Sequence, residues 1–372
     1  MQSIWLMIPS LHGGGSERVT TTLLRHLDRR RWKITLVVVD GQNSVFASDI
    51  PTDVHVLDLG CKRVRHALPM IIDMLWRHRP HVVFSTLGHL NLALSLIRPI
   101  LPSKTMYVAR ETNIVSRLIA YYPMPRLWSW AYRLFYSRFD RLICQSEDMA
   151  QDLVQGFGLP EHKIRLIHNP VDLERVSQFV EDAADDPALW ARWQAADGLR
   201  LVAAGRLATE KGFDMLIAAM GICRDLPLTL FILGEGGLRA ELEEQVREDA
   251  LQDRVVLCGF QRNPYVYLAR ADAFVLSSRF EGLPNVVLEA MACRTPVVAL
   301  PAPGGIDELI GGVAGCVIAE DVSAESLAQA LRQWVASSRA RLDPSCTARF
   351  EVGPIMAKYE SVFDEVLADA RH

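Results

Sequence analysis

Residues Leu201–Met220 read LVAAGRLATEKGFDMLIAAM. A short apolar run comes first, then Gly205-Arg206, then a polar stretch, then an apolar pattern with helical spacing. Strand, glycine turn and helix are the parts of one βα unit. The pattern recurs on both sides. Ile4–Ile8, Ile34–Val39, Val82–Phe84, Met106–Ala109 and Leu142–Cys144 read as buried parallel strands, with helical stretches such as Glu17–Leu27 and Leu68–Trp76 between them. It restarts at Leu201–Ala204 and runs through Leu228–Leu233, Val255–Leu257, Ala273–Leu276, Pro296–Ala299 and Cys316–Ile318. The expected fold class is therefore α/β, with two Rossmann-like, doubly wound parallel-sheet domains. The boundary falls near His168-Asn-Pro-Val-Asp172, where Asn-Pro breaks the periodicity. A polar, acidic insertion, VSQFVEDAADDPALWARWQAADG, follows it. Residues 1–170 make the first domain and the second starts at 171. Ligands of such sheets bind at the carboxyl ends of strands, so a central cleft between facing sheets is the expected site.

The 372-residue chain is 50% hydrophobic with net charge −4, a globular profile of about two domains. No apolar run approaches the ~18 residues of a membrane span. The opening MQSIWLMIPSL lacks a basic start and a cleavage site, so it reads as a core strand rather than a signal peptide. Seven scattered cysteines without C-x-x-C fit free thiols in a reducing cytoplasm. Charge is uneven: residues 1–170 hold 21 Lys and Arg against 13 Asp and Glu, the remainder 19 against 31. The stretch YYPMPRLWSWAYRLFYSRFDR interleaves aromatics with Arg126, Arg133, Arg138 and Arg141. It reads either as a solvated helix face over an aromatic core or as a surface for anionic lipid. No nucleic-acid motif accompanies the basic residues.

Two loops suit phosphate. Gly13, Gly14 and Gly15 precede a helix start, where unpaired N–H groups favour anions. The last glycine of a dinucleotide fingerprint would fall at Arg18, which argues against NAD, and no Gly-Lys-Ser/Thr follows. In the second half, Arg206 follows a strand and Lys211 opens a helix, where a cation opposes the dipole. An anion between them would resolve the conflict, and an arginine fork with a lysine point charge suits a diphosphate. Pairing with surface acids such as Glu210 or Asp214 is the alternative.

The stretch FEGLPNVVLEAMACRTPVVAL, residues 280–300, spaces two acids eight apart. One unbroken helix would leave them ~80° apart. Gly282-Leu283-Pro284 breaks it, with Pro284 suited to the first helical position. Glu281 then serves the loop and Glu289 the helix. Carboxylates accept hydrogen bonds from vicinal hydroxyls, so the pair resembles a sugar and ribose grip beside a phosphate site. A capping acid plus a surface glutamate fits the spacing as well.

Together these residues resemble family-4 retaining glycosyltransferases of the GT-B fold, over essentially the whole chain. The marks are GGGSERV, NPVD, GRLATEKG, LGEGGLR, CGF and EGLPNVVLEAMACRTPVVA. The resemblance implies an acceptor-binding first domain (1–170), a donor-binding second domain (171–347), and a last helix (348–372) crossing back to the first. It implies transfer of a hexose or N-acetylhexosamine from a nucleotide diphosphate sugar with retention. Arg206 and Lys211 match the pair holding the diphosphate, Glu281 the acid near the sugar, and Glu289 the acid at the ribose. Gly14, Gly15, Gly205, Gly234, Glu235, Phe260, Gly282, Leu283, Pro284 and Asn285 complete the implied donor site. No metal or other cofactor is implied, in keeping with the lack of a D-x-D.

One departure stands out. Many relatives place a histidine near the sugar, after the fourth strand. Here Val108-Ala-Arg-Glu-Thr-Asn113 puts Arg110 and Glu111 there, resembling bacterial transferases that build surface polysaccharide on polyprenyl diphosphate. The expected partners are a UDP-sugar, with GDP-mannose next, a lipid-linked saccharide and an anionic inner membrane face. A non-catalytic partner subunit and a sugar-nucleotide epimerase are the alternatives.

Overall fold

The computed structural model describes residues 1–370 except positions 43, 183, 185 and 338. The chain divides into two units. One is Met1–Pro170 with the C-terminal segment from Val352, the other Val171–Glu351.

In the first unit the strands are β1 (Gln2–Ser10), β2 (Trp32–Asp40), β3 (His55–Asp58), β4 (Val82–Thr86), β5 (Met106–Arg110), β6 (Arg141–Cys144) and β7 (Ile164–Leu166). They form one parallel sheet in the order β3-β2-β1-β4-β5-β6-β7. The strand order reverses between β1 and β4, which makes that carboxyl edge a switch point. The pattern anticipates β1, β2, β4, β5 and β6 but not β3 or β7. These are edge strands, exposed or half-buried, so they carry no continuous apolar run.

The C-terminal helix Val352–Asp369 belongs to this unit and buries Ile355, Tyr359, Val362, Phe363 and Val366. Phe363 lies 5.7 Å from the rings of both Trp32 and Phe84, and Tyr359 lies 5.9 Å from Phe84. Each buried side chain of this size contributes about 1.5–3 kcal/mol. Its polar face is ion-paired: Glu365 accepts from Arg141 and Arg165, and Glu360 from Arg31. The sequence reading starts this segment at 348. In the structure Pro344–Phe350 winds as a 3-10 stretch with Phe350 buried in the second unit, and the Phe350 carbonyl accepts from the Val171 N–H at 2.8 Å.

The second unit holds β8 (Leu199–Ala204), β9 (Leu228–Leu233), β10 (Val255–Leu257), β11 (Ala273–Leu276), β12 (Val297–Ala299) and β13 (Val317–Ile318). They form a parallel sheet ordered β10-β9-β8-β11-β12-β13, with its switch point between β8 and β11. The acidic insertion is more ordered than its composition suggests. Asp172 and Asp186 cap the helices Leu173–Val180 and Pro187–Ala195, accepting from the Arg175 N–H and from the N–H groups of Ala188 and Leu189. Trp193 anchors the second helix against Phe231 and Tyr267, at 4.6 and 5.4 Å.

All seven cysteines are free. Among the described residues no helix is long and apolar enough to cross a membrane.

Candidate active site

The loops after β8, β9, β10, β11 and β12 all leave the carboxyl edge of the second sheet. Close backbone contacts lock them together. Gly205 donates to the Leu233 carbonyl at 3.0 Å, and Leu207 to that of Glu235 at 2.9 Å. Gly234, at φ 146°, donates to the Gly259 carbonyl at 2.8 Å. A Cβ on Gly234 would stand 1.9 Å from the Gly205 oxygen, so no other residue fits. Beyond this joint Phe260 is 51% exposed.

Lys211 ends a short 3-10 turn, Thr209–Lys211. Its carbonyl accepts from the Ser277 hydroxyl at 2.9 Å, which fixes the turn to the end of β11. The Lys211 ammonium donates to Glu281 Oε1 at 2.6 Å, and the Ser278 hydroxyl donates to the same oxygen at 2.6 Å. Arg206 is different. Its side chain is 72% exposed and reaches back to Glu210 at 2.6 Å. Burial works against the Glu210 charge, but its own N–H and Arg206 hold its pKa below the ordinary value. Asp214 pairs with Arg279, not with Lys211. Of the two surface acids considered as alternative partners, one thus binds Arg206 and neither binds Lys211.

The two acids of 280–300 occupy distinct elements. Glu281 sits in the loop, its N–H on the Pro303 carbonyl at 3.0 Å. Glu289 lies buried inside the helix Asn285–Ala292. Pro284 is the residue before that helix rather than its first position, because its ψ of 104° is extended. Gly282 accepts from the Gly305 N–H at 2.8 Å, and Leu283 and Pro284 are buried beneath. Gly304, at φ 126°, has only 2.2 Å between a would-be Cβ and the Glu281 carbonyl. Ser278, Gly304 and Gly305 are therefore part of the site, although the motif reading passed over them. The run Pro301-Ala-Pro-Gly-Gly305 was the signal for the two glycines.

In the first unit Gly14 precedes and Gly15 begins the helix Gly15–His26, with Gly13 at φ 112°. Arg110 ends β5 and Glu111 follows it, and no ion pair joins them among the described residues. Arg110 is 1% exposed, and its guanidinium donates to Asn169 Oδ1 at 2.6 Å and, longer, to the Thr86 and Ser16 hydroxyls. Ser16 and Thr86 are themselves bonded at 2.9 Å. Arg110 thus ties the glycine-rich loop, the end of β4 and the domain boundary. Glu111 is fully buried, taking hydrogen bonds from Tyr136 and from Asn91 Nδ2. Burial raises its pKa to about 7.

Among the described residues no group of three or more His, Cys, Asp or Glu side chains is placed to hold a metal ion.

Similarity to known proteins covers both units. Residues 13–175 match the family described as Glycosyltransferase Family 4, and residues 198–337 that described as Glycosyl transferases group 1. A Campylobacter jejuni enzyme, N-acetylgalactosamine-N,N'-diacetylbacillosaminyl-diphospho-undecaprenol 4-alpha-N-acetylgalactosaminyltransferase, is 28% identical over 358 residues, 92% of each chain. A lipopolysaccharide core biosynthesis glycosyltransferase of Rhizobium meliloti is 30% identical over 263 residues, 67% of this chain and 73% of its own. The Anabaena HepE protein, solved in complex with UDP-glucose, superposes with a TM-score of 0.79 at 19% identity, over 98% of this chain and all of its own. With two switch-point sheets, the glycine-locked loops and these matches along the chain, the protein belongs to the family-4 glycosyltransferases and is a transferase of the GT-B fold.

Proposed function

We propose that this glycosyltransferase moves a hexose or N-acetylhexosamine from a nucleotide diphosphate sugar, with retention, onto a lipid-linked saccharide in surface polysaccharide synthesis. The Lys211–Glu281–Ser278 cluster carries this reading. It holds an ammonium and an acid at one carboxyl edge, beside the exposed Arg206. In this reading Arg206 and Lys211 bind the diphosphate and stabilise its charge as it leaves, an electrostatic contribution aimed at the transition state. Glu281 meets the sugar and Glu289 the ribose. The joint of Gly205, Gly234 and Glu235 takes the phosphate backbone, and Phe260 offers its ring to the base. Gly282, Leu283, Pro284 and Asn285 complete the second unit's donor loops, and Gly14 and Gly15 open the first unit's helix Gly15–His26 with N–H groups suited to an anion. Arg110 and Glu111 support the acceptor side. A UDP-sugar is favoured, then GDP-mannose. The lipid-linked class rests on the name of the Campylobacter relative, and the surface-polysaccharide role is supported by that of the Rhizobium one.

The same reading places the protein in the cytoplasm against the inner membrane face. Helix Pro125–Phe135 exposes Leu127, Trp130 and Leu134, three and four residues apart, with Met124 just before it. A groove of about 410 Å³ beside it is lined by Ile119, Ala120, Pro125, Arg126, Arg133 and Phe157 among others. Arg126 and Arg133 are exposed, although Arg133 also donates to the Gly156 carbonyl at 2.9 Å. The other two arginines singled out from sequence are half-buried: Arg138 donates to the Ser95 and Leu96 carbonyls, and Arg141 is ion-paired with Glu365 and Asp369.

The test is a panel of UDP-sugars and GDP-mannose against polyprenyl diphosphate-linked saccharides, read by mass spectrometry. One donor should give a single-sugar mass increase. Transfer only to soluble acceptors would overturn the lipid-linked class, and transfer with inversion the retaining one.

A further inference from the structure

We propose that Arg279 is a positioning residue that directs the Lys211 ammonium, an assignment that rests on Lys211 serving the donor diphosphate. Residues 277–279, just past β11, hold all three carbonyls of the turn Thr209–Lys211. The Ser277 hydroxyl donates to the Lys211 carbonyl at 2.9 Å, the Arg279 N–H to that of Glu210 at 2.8 Å, and Arg279 Nη1 to that of Thr209 at 2.7 Å. Gly212 closes the turn at φ 62°, and a Cβ there would stand 2.1 Å from the Ser277 carbonyl oxygen. A 3-10 turn this short makes few bonds of its own, so its direction comes from the strand end that grips it.

The same guanidinium decides which acid Lys211 meets. Lys211 follows Glu210 directly and stands three residues before Asp214, in the first turn of the helix Phe213–Ile222. Side chains three apart on a winding backbone pair readily, and the flexible lysine stem lets its ammonium swing between partners. Both neighbouring acids are already taken. Glu210 binds Arg206 at 2.6 Å. Asp214 is gripped on both oxygens, by Arg279 Nη1 at 2.9 Å and Nη2 at 2.6 Å. A planar fork of this kind neutralises the carboxylate and fixes its plane, which a point charge does not. The Lys211 ammonium is thereby left to Glu281, 2.6 Å away on the loop after β11. Without Arg279 two things change together. The turn loses its hold on the Thr209 carbonyl, and Asp214 becomes free to compete with Glu281 for the ammonium.

The experiment compares wild type with Arg279→Ala, Asp214→Asn and the double variant carrying both changes. It measures sugar transfer, UDP affinity by calorimetry, melting temperature, and the place of the Lys211 ammonium in crystals of Arg279→Ala. Arg279→Ala should lower kcat by about 10- to 100-fold, the scale of a misplaced group, with UDP affinity kept within about threefold. Arg279→Gln keeps a donor for the Thr209 carbonyl but no charge for Asp214. It should lose activity as well, and it takes the place of the alanine variant throughout if that one does not fold. Asp214→Asn should stay within about twofold of wild type, because the carbonyl bonds of Arg279 remain. The double variant has no carboxylate left to compete, so it should turn over at least about fivefold faster than Arg279→Ala, without a matching gain in melting temperature. An Arg279 that only stabilises the fold gives no such recovery. A double variant no faster than Arg279→Ala overturns the proposal, and so does an ammonium still on Glu281 in the Arg279→Ala crystal. If Lys211→Ala turns over like wild type, the diphosphate assignment falls and the crystal alone decides: an ammonium displaced from Glu281 upholds the role of Arg279, and one still on Glu281 ends it.

Discussion

Lys211 Nζ and Glu281 Oε1 stand 2.6 Å apart, joining the loop after β8 to the loop after β11. The ammonium is three-quarters buried and the carboxylate almost wholly so, which makes the pair directional and poorly screened. Glu281 therefore sets where the Lys211 charge stands before any substrate arrives. Lys211→Ala should lower kcat by about 30- to 1,000-fold, the ~2–4 kcal/mol scale of a transition-state stabiliser. Glu281→Gln keeps an acceptor for Ser278 but releases the ammonium. In a double-mutant cycle the two changes should couple by about 0.5–3 kcal/mol. Strict additivity in kcat would show that the pair has no joint role.

Arg206 should separate catalysis from stability. Its guanidinium is largely in solvent, and its pair with Glu210 is an exposed i,i+4 contact worth about 0.3–0.5 kcal/mol. Arg206→Ala should leave the urea midpoint nearly unchanged while turnover falls by a factor comparable to that of Lys211→Ala. A folded Arg206→Ala, Lys211→Ala double variant with wild-type turnover would end the leaving-group assignment.

Two glycines three residues apart make a paired test of the donor loop. Gly234→Ala puts a methyl 1.9 Å from the Gly205 oxygen at a φ of 146°. Gly237→Ala meets nothing within 4 Å. The first should cost about 2 kcal/mol or more of stability and weaken UDP binding, the second should do neither. Equal melting temperatures and UDP affinities would show that the joint between the two loops is not under this constraint.

These two glycines also show how far the residues could be read unaided. Strand and helix alternation made both sheets legible, because buried parallel strands need continuous apolar runs. The placement of Lys211 was legible too, since a cation opening a helix opposes its dipole, but its ion pair with Glu281 was not, because it joins two loops that meet only in the fold. Gly304 and Ser278 escaped notice because their roles depend on the Glu281 carbonyl and carboxylate, contacts that exist only once the loops meet.

Glu111 should leave a mark on stability against pH. Burial raises its folded pKa to about 7, against roughly 4.3 in an unfolded chain. The folded state then holds the extra proton, so its contribution is full below about pH 4 and is lost as pH rises through 7. At about 1.4 kcal/mol per pH unit the loss is on the order of 4 kcal/mol. Glu111→Gln keeps an oxygen for Tyr136 and Asn91 but has no proton to lose. Its urea-unfolding free energy should fall less than that of wild type between pH 5 and pH 8. Parallel curves for the two proteins would mean that Glu111 is already ionised in the fold.

Membrane docking is the most exposed part of the functional reading. Met124 is 67% exposed and Trp130 55%, on a helix that also carries Arg126 and Arg133. Apolar side chains of this kind seat at the headgroup level when basic groups flank them. Each nearby basic side chain adds about 1 kcal/mol of attraction to an anionic surface, within a Debye length of roughly 10 Å at 0.1 M salt. Wild type should therefore co-sediment with phosphatidylglycerol-containing vesicles at low salt and release as salt rises. Arg126→Glu with Arg133→Glu should shift the binding midpoint by at least tenfold in lipid, since two charges are reversed. Trp130→Ser should weaken binding at every salt concentration, because it removes the apolar part. Arg141→Glu should break its ion pairs with Glu365 and Asp369 and lower stability without acting through lipid. Wild-type protein that stays in the supernatant at low salt would refute the docking surface. Family membership would stand, and a soluble acceptor would then be favoured.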